Sequence, residues 1–130
     1  MKIHHIGYLV KNIEKAAKEF ISLGYAVEKD VMYDSYRDAD IMFLINDELR
    51  VELVRPVSEK SVVYDLLKKY KNMPYHICYE CRDIETSQQT LRNAGFLPIE
   101  EAKCAPAIEG RNVVFMMSAF SGMIELVEEA

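Results

Sequence analysis

The chain has 130 residues, half of them hydrophobic and 28% charged, with a formal net charge of −5. That length suits one compact domain with a real core, and the acidic balance argues against a general nucleic-acid binder, which would carry a basic face. No apolar run approaches the roughly 20 residues of a membrane helix, and the N-terminus enters an amphipathic pattern at once, so neither a membrane span nor a signal peptide is expected. Three cysteines without framework spacing fit a reducing cytoplasm.

Lys2 to Val10 alternates, with Ile6, Tyr8 and Val10 on one face and Ile3, His5, Gly7 and Leu9 on the other, which predicts a strand. Asn12 is a good N-cap, and Ile13, Ala16, Ala17 and Phe20 follow at helical spacing. Gly24 sits where a left-handed residue closes a helix. The chain is then extended from Tyr25, forms an apolar strand over Ala39 to Ile45, turns at Asn46-Asp47, and returns from Leu49 to Arg55 as a hairpin partner. The order is β-α-β-β-β.

Pro56 ends that unit. Ser58 to Tyr70 is predicted as a connecting helix, with Val62, Val63, Leu66, Leu67 and Tyr70 as its apolar stripe and Lys68, Lys69 and Lys71 towards its end. A strand over Pro74 to Cys81 opens the second half. Asp83 caps a helix ending at Gly95. Phe96 to Ala102 is extended, Ala105 to Arg111 is a loop, and strands over Asn112 to Ser118 and Met123 to Val127 close the chain.

The second half repeats the first. At an offset of 71 residues His5 meets His76, Ile6 meets Ile77, Tyr8 meets Tyr79, Ile13-Glu14 meets Ile84-Glu85 and Gly24 meets Gly95. At an offset of 73, Val51-Glu52-Leu53-Val54 meets Ile124-Glu125-Leu126-Val127. A repeat found this way outranks any single-segment reading. It divides one 130-residue domain into module one (1–56), a connecting helix (57–72) and module two (73–130).

A glutamate within an apolar strand is costly when buried without a partner, and a histidine there also wants one. Taken alone, each of the four is most simply a satisfied core or edge residue. The repeat changes that balance, because the same expensive residue recurs at the same place in both halves. Two imidazoles and two carboxylates brought together would suit a divalent metal, which also removes the repulsion between the carboxylates.

Both halves resemble the βαβββ module of the vicinal oxygen chelate superfamily, which includes glyoxalase I, methylmalonyl-CoA epimerase, extradiol dioxygenases and bleomycin-resistance proteins. The likeness covers nearly the whole chain. It is strongest to the methylmalonyl-CoA epimerases, in His4-His-Ile-Gly-Tyr with Asn12-Ile-Glu-Lys-Ala, Val51-Glu-Leu-Val-Arg-Pro, His76-Ile-Cys-Tyr-Glu with Asp83-Ile-Glu, and Ile124-Glu-Leu-Val-Glu. The resemblance implies an α+β fold, two βαβββ modules forming a curved mixed eight-stranded sheet with helices on the convex side and a metal in the concave face. It places the metal ligands on His5, Glu52, His76 and Glu125, holding one divalent ion (Co, Ni, Zn or Mn). The implied activity is a metal-dependent epimerase or isomerase, moving an α-proton through a metal-stabilised enolate on an acyl-CoA-like thioester. A glyoxalase I-type lyase is the alternative, and a small-molecule binding or resistance protein the third reading. The implied partner is an acyl-CoA or thiol adduct, in a cytoplasmic protein that could form a homodimer. Some epimerases have glutamine where Glu52 stands, and their second half often has two adjacent histidines where this chain has Tyr75 before His76; Ala105 to Arg111 and Ser118 do not follow the usual glycine-rich and His-Pro pattern.

Catalytic roles are expected of Glu125, a carboxylate able to accept a proton, and of Asp40 as the second acid–base group. Asp40 shares the face of Glu52 if a three-residue loop pairs position 42 with 52. It turns away if a two-residue loop pairs 41 with 52. The simpler reading of Asp40 is a solvated carboxylate at a strand end. Cys78 and Cys81 have a redox spacing, but on a strand they point to opposite faces, so packing is expected. His4 should point away from His5, and Tyr8 and Tyr79 should pack opposite the histidines. Arg50, Arg55 and Arg111 could meet a phosphate or a carboxylate.

Overall fold

The computed structural model describes residues 1–130. The elements run β1 (Lys2–Leu9), α1 (Ile13–Ser22), β2 (Ala26–Asp34), β3 (Ala39–Asn46), β4 (Leu49–Pro56), α2 (Tyr64–Tyr70), β5 (Met73–Cys81), α3 (Ile84–Asn93), β6 (Leu97–Pro98), β7 (Lys103–Ala105), a 3-10 turn at Pro106–Ile108, β8 (Arg111–Ser118) and β9 (Gly122–Glu128). The fold is α+β, with the two βαβββ modules that the repeat predicts. No helix is long and apolar enough to cross a membrane. The chain divides into two compact units, His5–Tyr75 and Met1–His4 with His76–Ala130.

In the first unit β2 pairs antiparallel with β3, β3 antiparallel with β4, and β4 parallel with β1. One face of these strands carries Met42, Leu44, Val51 and Leu53, packed with Val10 and with Ile13 and Ala17 of α1. Tyr8 packs against this cluster, its ring edge-on to Phe20 at 5.3 Å. In the second unit β5 runs parallel to β9, β9 antiparallel to β8, and β6 and β7 both pair antiparallel with β8. Its core joins Cys81, Ile84, Val114, Met116, Ile124 and Leu126, with Tyr79 against it. Both tyrosines thus pack as expected.

The two helices are built alike. Asn12 Oδ1 accepts from the Lys15 amide at 2.9 Å, and Asp83 Oδ1 from the Thr86 amide at 2.7 Å, each satisfying a donor that the helix start leaves unpaired. At the other end Tyr25 N–H donates to Phe20 C=O and Gly24 N–H to Ile21 C=O. Phe96 and Gly95 repeat this on Leu91 and Arg92. This double closure needs a left-handed residue, which Gly24 and Gly95 supply at φ 104° and 103°. Burial separates them: α1 buries Ile13 and Ala17, and α3 only Ile84, because Gln88 stands where Ala17 does.

Three expectations are corrected. There are nine strands, not eight. In module one the outer strand is continuous, with two irregularities in its register. In module two it breaks into β6 and β7, just beyond the bond that Ile99 N–H donates to Phe115 C=O at 3.0 Å. The connecting helix starts at Tyr64 rather than Ser58. Ser61 Oγ donates to Arg37 C=O at 2.7 Å and Ser58 Oγ donates to Asp38. These bonds hold the first residues in turns, and short polar side chains compete with helix in this way. Val62 and Tyr70 of the expected apolar stripe are exposed. The hairpin turn is Asp47-Glu48, with Asp47 at φ 54°, so Asn46 faces Leu49 and Phe43 faces Glu52.

The two caps differ in titration. Asn12→Ala should cost about 1 kcal/mol of stability in urea unfolding at neutral pH. The Thr86 amide holds the Asp83 carboxyl below its ordinary value of 3.8. A lowered folded pKa means that the cap's contribution is present above that value and is lost as pH falls through the folded one. Asp83→Asn should therefore flatten part of the acid limb of melting temperature against pH, and an unchanged acid limb would contradict this assignment.

Candidate functional site

In the first unit the parallel register sets Gly7 of β1 opposite Glu52 of β4. Side chains alternate along a strand, so His5 and Gly7 share the Glu52 face, opposite the α1 core. His5 Nε2 lies 3.4 Å from Glu52 Oε1, both side chains being fully buried. Phe43 of β3 is directly opposite Glu52, and its ring meets His5 edge to face at 5.3 Å. The glycine at position 7 puts no side chain on this face between His5 and Leu9.

The second unit builds the same arrangement. Cys78 of β5 is opposite Glu125 of β9, so His76 and Cys78 share the Glu125 face. His76 Nε2 lies 3.1 Å from Glu125 Oε1, again with both side chains fully buried. Phe115 of β8 is opposite Glu125 and meets the His76 ring at 5.0 Å. At 3.1 Å a neutral imidazole with its proton on Nε2 donates to the carboxylate, and a doubly protonated one does so more strongly. At 3.4 Å the first pair is longer than a normal hydrogen bond.

Each unit thus carries a buried His–Glu pair set two residues out of register between parallel strands, with an aromatic ring on the third strand. A buried carboxylate is expensive, on the order of several kcal/mol per ion, unless it is compensated. Paired with an imidazole it can hold the ring's orientation, move a proton or offer mixed N and O donors to a cation. The two phenylalanines went unnoticed in the sequence, although they recur at an offset of 72 between the offsets of 71 and 73 for histidine and glutamate.

Asp40 is the correction at this site. It faces Arg55 across the hairpin and is ion-paired with it. The continuous register from Asp40 to Asn46 puts Asp40, Met42 and Leu44 on the α1 side and Phe43 on the Glu52 side. Asp40 therefore points away from the His5–Glu52 pair. The expected pairings of 42 or 41 with 52 both misplace the turn by at least one residue.

The other residues fall as follows. His4 is buried. Cys78 and Cys81 are buried free thiols on opposite faces of β5, and Cys104 is exposed. Burial pushes the Cys81 thiol up. All three arginines meet carboxylates. Arg50 binds Glu28 through Nε at 2.6 Å and Nη2 at 2.9 Å, Arg55 binds Asp40, and Arg111 lies 3.2 Å from Glu80.

Comparison with known proteins agrees with this construction. Residues 4–115 match the family model of the Glyoxalase/Bleomycin resistance protein/Dioxygenase superfamily. An ethylmalonyl-CoA/methylmalonyl-CoA epimerase of Cereibacter sphaeroides is 23% identical over 130 residues, covering 98% of this chain and 97% of its own. The crystal structure of methylmalonyl-CoA epimerase from Mycobacterium tuberculosis superposes with a TM-score of 0.87 at 21% identity, covering 99% of this chain and 88% of that one. A variant of the Streptomyces coelicolor methylmalonyl-CoA epimerase, in complex with 2-nitronate-propionyl-CoA, gives 0.87 at 20% identity, with 100% and 98% covered. At these identities the structural likenesses establish the fold, and the family match establishes descent: the chain belongs to the glyoxalase/bleomycin resistance protein/dioxygenase superfamily, the vicinal oxygen chelate proteins.

Proposed function

We propose that this protein is a metal-dependent epimerase acting on a methylmalonyl-CoA-like acyl thioester, with His5, Glu52, His76 and Glu125 together holding one divalent ion. The observation that carries the proposal is the buried His–Glu pair, built in each unit with the same register and the same aromatic neighbour. The donor set fits such an ion. Two neutral imidazoles and two carboxylates suit Co, Ni, Zn or Mn, and the paired negative charges are what a dication compensates. Bound there, the ion supplies a Lewis acid for negative charge developing on the thioester oxygen.

The chain's own part in the reaction is proton transfer and orientation. An α-proton next to a thioester is weakly acidic. A carboxylate within reach removes it, and a second group returns one from the opposite side. Glu125 is the proposed base on one side, its carboxylate 3.1 Å from His76 Nε2. The second group is not Asp40, whose carboxylate is committed to Arg55 on the other face of β3. Support for the acyl-CoA class comes from relatives named as ethylmalonyl-CoA and methylmalonyl-CoA epimerases. One feature favours a second reading: Glu52 completes a His-Glu-His-Glu set like that of glyoxalase I, which would make the protein a lyase acting on a hemithioacetal. A protein that only sequesters a small molecule would have no use for the duplicated pair.

Two measurements test the proposal. Metal analysis after dialysis should find about one divalent ion per chain. His76→Ala should lose most of it, while His4→Ala should load like the parent. Equal loading of all three proteins would remove the site.

The metal-loaded protein should exchange the α-proton of methylmalonyl-CoA for deuterium by mass spectrometry. Glu125→Gln should slow exchange by roughly 10²-fold or more, with Asp40→Asn near the parental rate. Silence in this assay together with isomerisation of a methylglyoxal–thiol adduct would select the lyase reading.

A further inference from the structure

We propose that a cavity in the first unit, between the end of β1 and α2, binds the phosphate groups of the CoA moiety. The inference rests on the acyl-CoA reading and names the part of the chain that would recognise the ligand's far end. The cavity is open on one side, has a volume of ≈ 400 Å³, and is lined by Lys11, Pro56 and, from the connecting segment, Tyr64, Leu67, Lys68, Lys71 and Asn72. No aspartate or glutamate is in the lining. That is unusual in a chain with 21 acidic residues against 16 lysines and arginines.

None of the three lining lysines is paired with a carboxylate, whereas Arg50 and Arg55 of this unit are committed to Glu28 and Asp40. The simpler explanation is that lysines at the end of α2 offset the negative end of the helix dipole. It covers Lys68 and Lys71, whose Nζ reaches the Lys68 carbonyl at 3.4 Å. It does not cover Lys11, which follows β1 and is not part of the helix. Lys69, also in the last turn of α2, lies over the Tyr70 ring at 5.0 Å and is not part of the lining.

The rim is fixed as well as charged. Asn72 Oδ1 accepts from the Lys11 amide at 2.8 Å, tying the end of the helix to the end of the strand. Lys71 holds a left-handed φ of 64°, with its amide donating to Leu67 C=O at 2.8 Å. A non-glycine residue keeps such a conformation only where its surroundings impose it. Tyr64 and Leu67 add an apolar wall that suits an adenine or the methylene arm beside the phosphates. Along β1, Lys11 is six residues from His5, about 20 Å in an extended strand. The pantetheine arm of an acyl-CoA separates its thioester from its phosphates by a length of that order.

The test is isothermal titration of the parent and of Lys11→Ala/Lys68→Ala with CoA, phosphate-free pantetheine, 3′,5′-ADP and inorganic phosphate. Lys71 is left in place because its ammonium already meets the Lys68 carbonyl, at 3.4 Å. The double variant should bind CoA and 3′,5′-ADP about 10-fold or more weakly and pantetheine as the parent does. Lys11→Arg/Lys68→Arg should restore most of the CoA affinity. Parental CoA binding by the alanine variant, or an equal loss for pantetheine, would overturn the proposal. Inorganic phosphate binding as tightly as CoA would also overturn it, by making the cavity a free-phosphate site. Titration with CoA needs no turnover, so the two readings fail separately. Lysine-dependent CoA binding without α-proton exchange removes only the epimerase, and exchange with lysine-independent CoA binding removes only this cavity.

Discussion

A carboxylate within a β-sheet core must be answered by a positive charge or by hydrogen-bond donors, and this constraint organises both units. Glu52 and Glu125 are each fully buried, and each faces an imidazole two residues out of register on the neighbouring parallel strand. In each unit the parallel register sets the residue two positions past the histidine opposite the glutamate, so both side chains share one face. A one-residue slip of β1 against β4 would carry His5 to the core face of α1 and leave Glu52 buried among hydrocarbon. The pair thus fixes the register, and the register fixes the pair.

The remaining elements divide along the two faces of the strands. One face receives the helix, closed at both ends by the same cap and the same glycine in each module. The other face carries histidine, glutamate and a phenylalanine whose ring edge abuts the imidazole. Such edge-to-face contact adds packing without competing for the ring nitrogens. The imidazole is held by carbon on one side and by oxygen on the other. Its orientation is therefore set by the fold before any ligand arrives, which is what a site needs if binding is not to pay for ordering its own donors.

The fold was legible because the chain states it twice. Offsets of 71 and 73 pair the strands that carry histidine and glutamate, and caps at Asn12 and Asp83 with glycines at 24 and 95 bound the helices. What was not legible depends on geometry that periodicity does not carry. The turn between β3 and β4 lies one residue further along than turn propensity suggested, since Asp47 tolerates φ 54° where asparagine was expected to turn. The two-residue length of the loop turns Asp40 away from the Glu52 face, and its position along the chain pairs Asp40 with Arg55. The connecting helix was overestimated because Val62 and Val63 fit a helical stripe. Two serine hydroxyls upstream, bonded to Arg37 and Asp38, hold the chain in turns instead.

The connecting segment also breaks the symmetry. Everything the two modules share (caps, closures, the His–Glu pair and the phenylalanine) has a counterpart 71 to 73 residues on. The segment from Val57 to Asn72 instead joins the two copies. A duplicated fold alone would offer a ligand two equivalent approaches. A thioester joined to a long phosphorylated arm has two unlike ends and must be bound in one sense. The lysines that would decide the sense, Lys68 and Lys71, lie on the segment that joins the copies, and Asn72 at its end accepts from the amide of Lys11, just past the strand that carries His5. On this view the repeat supplies the chemistry and the insertion between its copies supplies the direction.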